Sequence, residues 1–228
     1  MLISIIIPTY NEYSNIERLS AFFSNVNQQQ TTEVIVADSP LSNDSLSTLS
    51  GPFHYVRTQQ TGRAAQMNEG ALASKGDILV FLHADVTPPD SFHMDILTAL
   101  EQGNDFGFFA YDFAPSSFWL TVNASFTGKK GVFAGGGDQI HFMKRSVFEQ
   151  LRGYDPKMVI MEDFEFFKRI KRNKIPYTIV QKRAQVSSRK YVKNSWLRVN
   201  FANLCAFILF SLKADSQIIK TCYTKMLR

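Results

Sequence analysis

The sequence lacks most features that identify secreted, membrane-spanning or disulfide-stapled proteins. It has two cysteines, Cys205 and Cys222, whose separation matches no zinc or redox motif, which indicates a reducing compartment. The chain opens on a strand pattern without a basic leader, so we expect no signal peptide. The apolar run at 201–212 is shorter than the roughly 20 residues that cross a bilayer. These absences favour a cytoplasmic protein and leave open peripheral contact with the inner face of the membrane.

Several motifs of well-known site types are missing as well. The glycines within 131–137 do not follow the first strand in a Gly-x-Gly-x-x-Gly pattern, so we expect no dinucleotide cofactor. The sequence shows no Walker loop, no Ser-His-Asp set and no nucleic-acid signature, so nucleic acid is not an expected partner.

The charge is unevenly distributed along the chain. Residues 1–156 carry 9 Lys/Arg and 16 Asp/Glu, a net charge of −7, whereas residues 157–228 carry 16 and 4, a net charge of +12. The basic segment suits phosphates or an anionic membrane surface, or forms a solvated face. Residues 189–228 combine these charges with the apolar run, which predicts a helix lying on a membrane or packed on the domain.

Acidic residues follow several predicted strands. The apolar stretch 78–82 ends at His83, Ala84 and Asp85, and a strand at 33–38 ends at Asp38. A buried parallel strand places such a group at the open edge of a sheet, where nucleotide and metal sites lie. For any single strand the alternative is a helix cap.

Strand and helix patterns alternate over most of the chain, which predicts an α/β fold with a mainly parallel central sheet flanked by helices. We expect Ser14 or Asn15 to cap the first helix and Gly76 to end the second. Residues 1–185 form the predicted catalytic domain, and 186–228 a basic helical extension. Strands are expected at 2–8, 33–38, 53–57, 78–82, 106–113, 139–143 and 175–180. Helices are expected at 15–27, 63–74, 91–102, 119–129, 145–151 and 162–174.

Six short motifs, in this order, give the chain a family resemblance. They are 4–12 (SIIIPTYNE), 36–38 (VAD), 62–68 (GRAAQMN), 82–85 (LHAD), 137–139 (GDQ) and 161–163 (MED). The chain resembles family 2 glycosyltransferases with the GT-A nucleotide-diphospho-sugar transferase fold, especially a short bacterial branch without fused membrane helices. The resemblance implies inverting transfer of a sugar from a nucleotide-diphospho-sugar to an acceptor hydroxyl, assisted by Mn²⁺ or Mg²⁺. The acceptor is unknown, and a lipid-linked one is an open alternative.

The resemblance also assigns a donor site. Asp38 is expected to accept the N–H of uracil or an equivalent donor, and Arg63 to approach the diphosphate or the base. Alternatively, Asp38 only caps a loop, and Arg63 is a surface arginine at the start of a helix. Many relatives carry Gln-x-x-Arg-Trp downstream; this chain instead has residues 187–191 (SSRKY) at a comparable place, where Arg189 or Lys190 is expected to neutralise the diphosphate. The expected donor-site residues are Pro8, Thr9, Tyr10, Glu12, Asp38, Arg63, Gln66, His83, Ala84 and Arg189.

The metal and the general base are assigned in the same way. Most relatives show Asp-x-Asp where this chain has His83-Ala84-Asp85, so Asp85 is the expected ligand. His83 could coordinate Mn²⁺, contact the ribose of the donor or only fill space, and of these a donor-site contact is favoured. Glu162 and Asp163 are the expected catalytic acids, with Asp163 the base; helix capping is the alternative.

Asp138 and Gln139 are expected on the acceptor side. The sequence leaves two rival functions to consider. A nucleotidyltransferase would need a glycine-rich phosphate loop near the first strand, which residues 8–12 do not provide. A nucleotide-sugar-binding regulator without turnover would not need both Asp85 and Asp163.

Overall fold

The computed structural model describes residues 1–25, 32–49, 51–131 and 134–227. Within these residues eight strands form one sheet in the order β3-β2-β1-β4-β7-β6-β8-β5, flanked by nine α-helices. The strands are β1 Ile3–Thr9, β2 Thr32–Asp38, β3 Phe53–Arg57, β4 Ile78–Phe81, β5 Val86–Thr87, β6 Phe106–Ala114, β7 His141–Lys144 and β8 Tyr177–Ser187. The helices are α1 Tyr13–Asn25, α2 Arg63–Ala73, α3 Phe92–Glu101, α4 Phe118–Ala124, α5 Arg145–Gln150, α6 Glu162–Arg172, α7 Arg189–Lys193, α8 Trp196–Ser211 and α9 Ser216–Met226.

The first four strands of the sheet are parallel; β1, β2 and β3 end together at Thr9, Asp38 and Arg57, whereas β4 ends opposite Ile6 of β1. Strand β1 pairs with β2 and β4, and β2 pairs with β3, all in parallel. Strand β6 pairs in parallel with β8, whereas β7 is antiparallel to both β4 and β6. The predicted mainly parallel α/β fold is therefore confirmed.

Both faces of the sheet are covered by apolar packing. Ile5 and Ile7 of β1 lie in the core on one face, and Ile6 lies in the core on the other, as the twofold alternation of a strand requires. Every residue of β1 is buried. A strand covered on both faces reads as the continuous apolar run seen at the start of the sequence.

Several predicted boundaries are wrong at the first strands and helices. Pro8 lies inside β1 rather than ending it, because β4 pairs only with residues 3–6 and Pro8 has a single strand neighbour. Helix α1 begins at Tyr13, so Ser14 and Asn15 do not cap it; its predicted end at 26–27 lies outside the described residues. Gly76 does not end α2; Ser74 does, and the Gly76 N–H donates to Ser4 Oγ at 2.7 Å.

Two later boundaries differ for identifiable reasons. Helix α4 ends at Ala124, and the Thr127 hydroxyl beyond it exchanges hydrogen bonds of 3.0 Å with the backbone of Tyr111 on β6. Strand β8 extends to Ser187 because it pairs along the whole of β6. A register irregularity opposite Phe109 accommodates the polar residues near 181, which hid this strand in the sequence.

Candidate active site

The donor-side residues lie at the carboxyl ends of β1 and β2. Asp38 is buried, accepts a 3.0 Å hydrogen bond from the Thr9 hydroxyl, and pairs with Arg57 at the end of β3. Arg57 also donates to the carbonyl of Ser42 at 2.6 Å. Asp38 is therefore held on an open sheet edge, with its carboxylate fixed from two sides.

Gln66 ties the same two strand ends together from α2. Its Nε2 donates to the carbonyls of Thr9 at 2.6 Å and Ala37 at 2.9 Å, and the side chain is buried. Tyr10, by contrast, is exposed at the rim of the site. In this structure Gln66 thus positions the edge on which a ligand would lie.

Glu12 and Arg189 join the donor edge to the C-terminal segment. The guanidinium of Arg189 donates to both Glu12 carboxylate oxygens, at 2.8 and 2.5 Å, and its Nη2 lies 3.6 Å from Asp85 Oδ2. Burial raises the pKa of Glu12, but hydrogen bonds from Arg189 and Asn15 outweigh it, so the pKa lies below its ordinary value. One cation thus connects the first loop to the LHAD strand end.

Asp85 and Asp138 form the acidic part of the site. Burial raises the pKa of Asp85, and the charge of Asp138 raises it further. Lys190 Nζ lies 3.6 Å from Asp138 Oδ2. The neighbouring basic residues Arg189 and Lys190 on α7 therefore each meet one of these carboxylates.

Ala84 lies directly before Asp85 and is buried. Its carbonyl accepts a 3.2 Å hydrogen bond from Arg18 on α1. Ala84 thus contributes backbone to this strand end, which α1 holds in place.

The MED motif places its two acids at the start of α6. Met161 has left-handed backbone geometry with φ 67°, and Glu162 and Asp163, both buried, follow in the first turn. Arg63, at the start of α2, pairs with Glu162 and lies 3.6 Å from Asp163 Oδ2. Two helix N-termini therefore meet at one buried charge cluster, where the helix dipoles favour the acids and Glu162 neutralises the arginine.

His83 completes the surroundings of Asp163. Its Nε2 lies 3.7 Å from Asp163 Oδ2, an atom that makes no hydrogen bond in the described structure. Burial raises the pKa of Asp163, but His83 and Arg63 outweigh it and lower the pKa to about 2. The Asp163 side chain is therefore ionised and retains one oxygen without a hydrogen-bond partner.

The glycine segment forms one wall beside these acids. Gln139 Oε1 accepts hydrogen bonds from the backbone N–H of Gly135 at 2.8 Å and of Gly136 at 3.1 Å. Side chains at these two positions would collide with the rings of Phe167 and Phe164 on α6. The glycines thus permit close approach of the turn to α6, and Gln139 holds it; residues 132 and 133 lie outside the described part.

A cleft of about 780 Å³ opens in front of Asp163. The charged residues of its wall are Asp138, Asp163, Arg63, Lys190 and Lys220, and most of the others are aromatic or carry amides. Much of that wall comes from α8 and α9. The wall residues from these two helices are Asn200, Asn203, Leu204, Ala206, Phe207, Lys220, Tyr223 and Thr224.

The contribution of α8 and α9 and that of Phe164 on α6 were not predicted from the sequence. Helices α8 and α9 contain no motif that marks them as part of a site. The ring of Phe164 contacts those of Phe207 and Phe210 on α8 and lines the cleft. Arg57 was also missed, although its place at the end of β3, in register with Asp38, follows from strand alignment.

No three His, Cys, Asp or Glu side chains in the described part of the chain are grouped so that they could hold a metal ion by themselves. The described residues also contain no helix long and apolar enough to cross a membrane.

Residues 4–169 match the family model described as Glycosyl transferase family 2. The chain is 29% identical over 111 residues to a dolichol-phosphate mannosyltransferase of Pyrococcus furiosus, a match that covers 46% of this chain and 32% of that protein. It is 34% identical over 95 residues to the glycosyltransferase AglE of Haloferax volcanii, covering 38% and 31%. Each match thus spans about a third of the relative's length.

Solved structures share the fold over nearly the whole chain. S. aureus TarS 1–349 with UDP-GlcNAc has a TM-score of 0.66 at 14% identity, covering 99% of this chain and 71% of that one. The mannosyltransferase PcManGT from Pyrobaculum calidifontis, with GDP-Man and Mn²⁺, has a TM-score of 0.65 at 17% identity, and the match covers 98% of this chain and 69% of that one. Glucosyl-3-phosphoglycerate synthase from Mycobacterium tuberculosis, with Mn²⁺, UDP and glucosyl-3-phosphoglycerate, has a TM-score of 0.62 at 16% identity, and the match covers 93% of this chain and 80% of that one. At these identities the likeness shows the fold alone.

Proposed function

The chain belongs to glycosyl transferase family 2, and we propose that it transfers a sugar, with inversion, from a nucleotide-diphospho-sugar to an acceptor hydroxyl. The observation that carries the proposal is Asp163: a buried, ionised carboxylate, one oxygen of which makes no hydrogen bond, on the wall of a cleft large enough for a small-molecule substrate. The bound UDP-GlcNAc and GDP-Man of the similar structures support a nucleotide-sugar donor.

The donor is proposed to lie along the carboxyl edge of β1, β2 and β4. Asp38, fixed by Thr9 and Arg57, offers acceptor oxygens to a base N–H. Arg189 reaches both Glu12 and Asp85, so its guanidinium lies where a diphosphate would pass between the two strand ends. A diphosphate would replace these carboxylates as the partner of Arg189, since bidentate phosphate recognition suits a guanidinium.

Asp85, with Asp138 as the neighbouring carboxylate, fits a divalent cation that is shared with the donor's phosphates. Magnesium and manganese are commonly held by one or two carboxylates plus substrate oxygens, so three protein ligands are not required. Such a cation would act as a Lewis acid on the leaving diphosphate. Mn²⁺ in two of the similar structures supports this assignment.

Asp163 is proposed to remove the proton of the acceptor hydroxyl. As that oxygen attacks the anomeric carbon, the C–O bond to the diphosphate breaks on the opposite side and the configuration inverts. The hydroxyl becomes acidic only as the new bond forms, so a carboxylate of low pKa accepts the proton during the transition state. His83 and Arg63 hold the carboxylate in place at the cleft.

A donor-hydrolysis assay tests the proposal. The protein is incubated with UDP- and GDP-sugars, with and without Mn²⁺, and nucleoside diphosphate release is measured. We expect slow, metal-stimulated release from one donor class, and none from Asp85→Ala. Binding of a nucleotide-sugar without any release, with or without an acceptor pool, would favour the non-catalytic regulator; release of pyrophosphate from a nucleoside triphosphate would favour a nucleotidyltransferase.

A further inference from the structure

Helix α8 is apolar on two opposite sides, and one of them faces solvent. Val199, Ala202 and Ala206 are buried against the protein. On the other side, Phe201 is 61% exposed. A helix that is apolar all round is normally buried, so the exposed side lacks a partner within the described chain.

Helix α4 extends this exposed surface. Phe118 is 74% exposed, Trp119 packs against Trp196 with the rings tilted by 32° and their centroids 5.0 Å apart, and Asn123 donates to Asn200 Oδ1 at 3.1 Å. The two helices therefore lie side by side. We call the exposed apolar residues on them and at their ends the apolar band: Phe118, Trp119, Val122, Phe126, Leu197, Phe201, Leu204, Ile208 and Leu212.

The apolar band is continuous with the mouth of the cleft. Phe126 and Leu204 belong to the band and also line the cleft that contains Asp163. A surface that covers the band would therefore also meet the cleft opening.

The charge around the band selects the kind of partner. Segment 186–228 has eight Lys/Arg and one acid, Asp215, and segment 115–131 has two lysines and no acid. Exposed lysines sit at the ends of the band, with Lys129 over the ring of Phe126, Lys193 before α8 and Lys213 after Leu212. A second copy packed face to face would oppose these same cations, whereas anionic lipid headgroups would complement them.

From this geometry we infer that the apolar band docks the protein on an anionic lipid bilayer, with the cleft mouth turned toward the lipid surface. Aromatic side chains, a tryptophan and flanking lysines are typical of helices that lie in the interface plane. The docking itself does not depend on the chemistry at Asp163; only the consequence for the acceptor, that it is reached at the membrane, rests on the proposed function.

Vesicle binding tests the inference, and the tryptophans report on the surface used. The chain has two tryptophans, Trp119 and Trp196, and both lie at the band. Phosphatidylcholine vesicles with phosphatidylglycerol, carrying brominated acyl chains, should sediment the protein at low salt and quench its tryptophan fluorescence. High salt or pure phosphatidylcholine should reduce both signals, because the headgroup attraction is screened or removed.

Phe118→Ser and Phe201→Ser should each weaken vesicle binding about tenfold, since each removes one inserted aromatic ring. Leu72→Ser, at a position 83% exposed on α2 and outside the band, is the matched control and should change nothing. All three variants should keep the wild-type melting temperature and donor hydrolysis.

Absence of sedimentation, sedimentation without quenching, or equal weakening by Leu72→Ser would each overturn the inference. If the wild-type protein forms a dimer that Phe201→Ser dissociates, and it does not bind vesicles, the apolar band is a self-association surface instead. If the wild-type protein binds vesicles as expected but hydrolyses no donor, the docking inference stands and the proposed function fails.

Discussion

His83 Nε2 lies 3.7 Å from Asp163 Oδ2, and both side chains are buried. The histidine stands two residues before Asp85, the expected metal ligand, and its ring is directed to the proposed base. This contact favours a role for His83 in positioning Asp163 over the expected donor-site contact and over the alternatives of a metal ligand or a filler.

Removal of the His83 ring should therefore affect turnover and spare metal binding. His83→Ala should lower turnover by up to about 100-fold, since Asp163 loses one of the two groups that hold it. His83→Asn, which keeps an N–H donor, should recover part of the rate. Mn²⁺ affinity, measured by electron paramagnetic resonance with UDP present, should stay near wild type; a loss as large as that of an Asp85 variant would make His83 a ligand.

Asp85→Asn should weaken Mn²⁺ binding, because an amide oxygen carries no net charge toward the cation. The same resonance titration measures it without relying on activity. Asp112→Asn is the control, since Asp112 is a surface acid paired with Arg183. Equal Mn²⁺ affinity in wild type and Asp85→Asn would place the metal elsewhere.

Arg189→Met should raise the dissociation constant for UDP- or GDP-sugars by roughly 10-fold or more, the scale of losing one charge-assisted bidentate contact. The expected loss is specific to the diphosphate, so a free nucleoside should bind as before. Arg183→Met, which removes another half-buried arginine paired with an acid, is the matched control. Weakened nucleoside binding would indicate a general disturbance of the donor edge.

His141 predicts a pH dependence of stability. Burial lowers the pKa of its imidazole to about 4, against 6.5 for the ordinary group. As the pH falls, the His141 imidazole is protonated in the unfolded chain before it is protonated in the folded one. The contribution of the neutral imidazole to folding stability is therefore complete above about pH 6.5 and is lost as the pH falls toward 4. The shift corresponds to about 3 kcal/mol. The free energies of unfolding of wild type and His141→Gln are measured with denaturant as a function of pH. The difference between them should narrow as the pH falls from about 6.5 to 4, and a difference that does not change with pH would contradict the prediction.

Much of the proposed site was predictable because the motifs end parallel strands. Asp38 and Asp85 each follow a buried apolar run, and the carboxyl ends of aligned parallel strands meet at one edge. The contact between Lys190 and Asp138 was not predictable, because no local pattern encodes the packing of α7 against the glycine segment. For the same reason the contacts of Phe164 with Phe207 and Phe210 were not predictable, because α8 is distant from α6 in the sequence.

The most direct test of the account is the turnover and donor affinity of Asp163→Asn. The substitution keeps the side-chain shape but removes its capacity to accept a proton, and loss of a general base costs on the order of 100- to 10,000-fold in rate. Glu165→Gln, in the same first turn of α6 and paired with Arg169, controls for disturbance of the helix. We expect Asp163→Asn to bind the donor as wild type does and to transfer sugar at least 100-fold more slowly. Near-normal turnover, or an equal loss of binding and turnover, would rule out Asp163 as the general base.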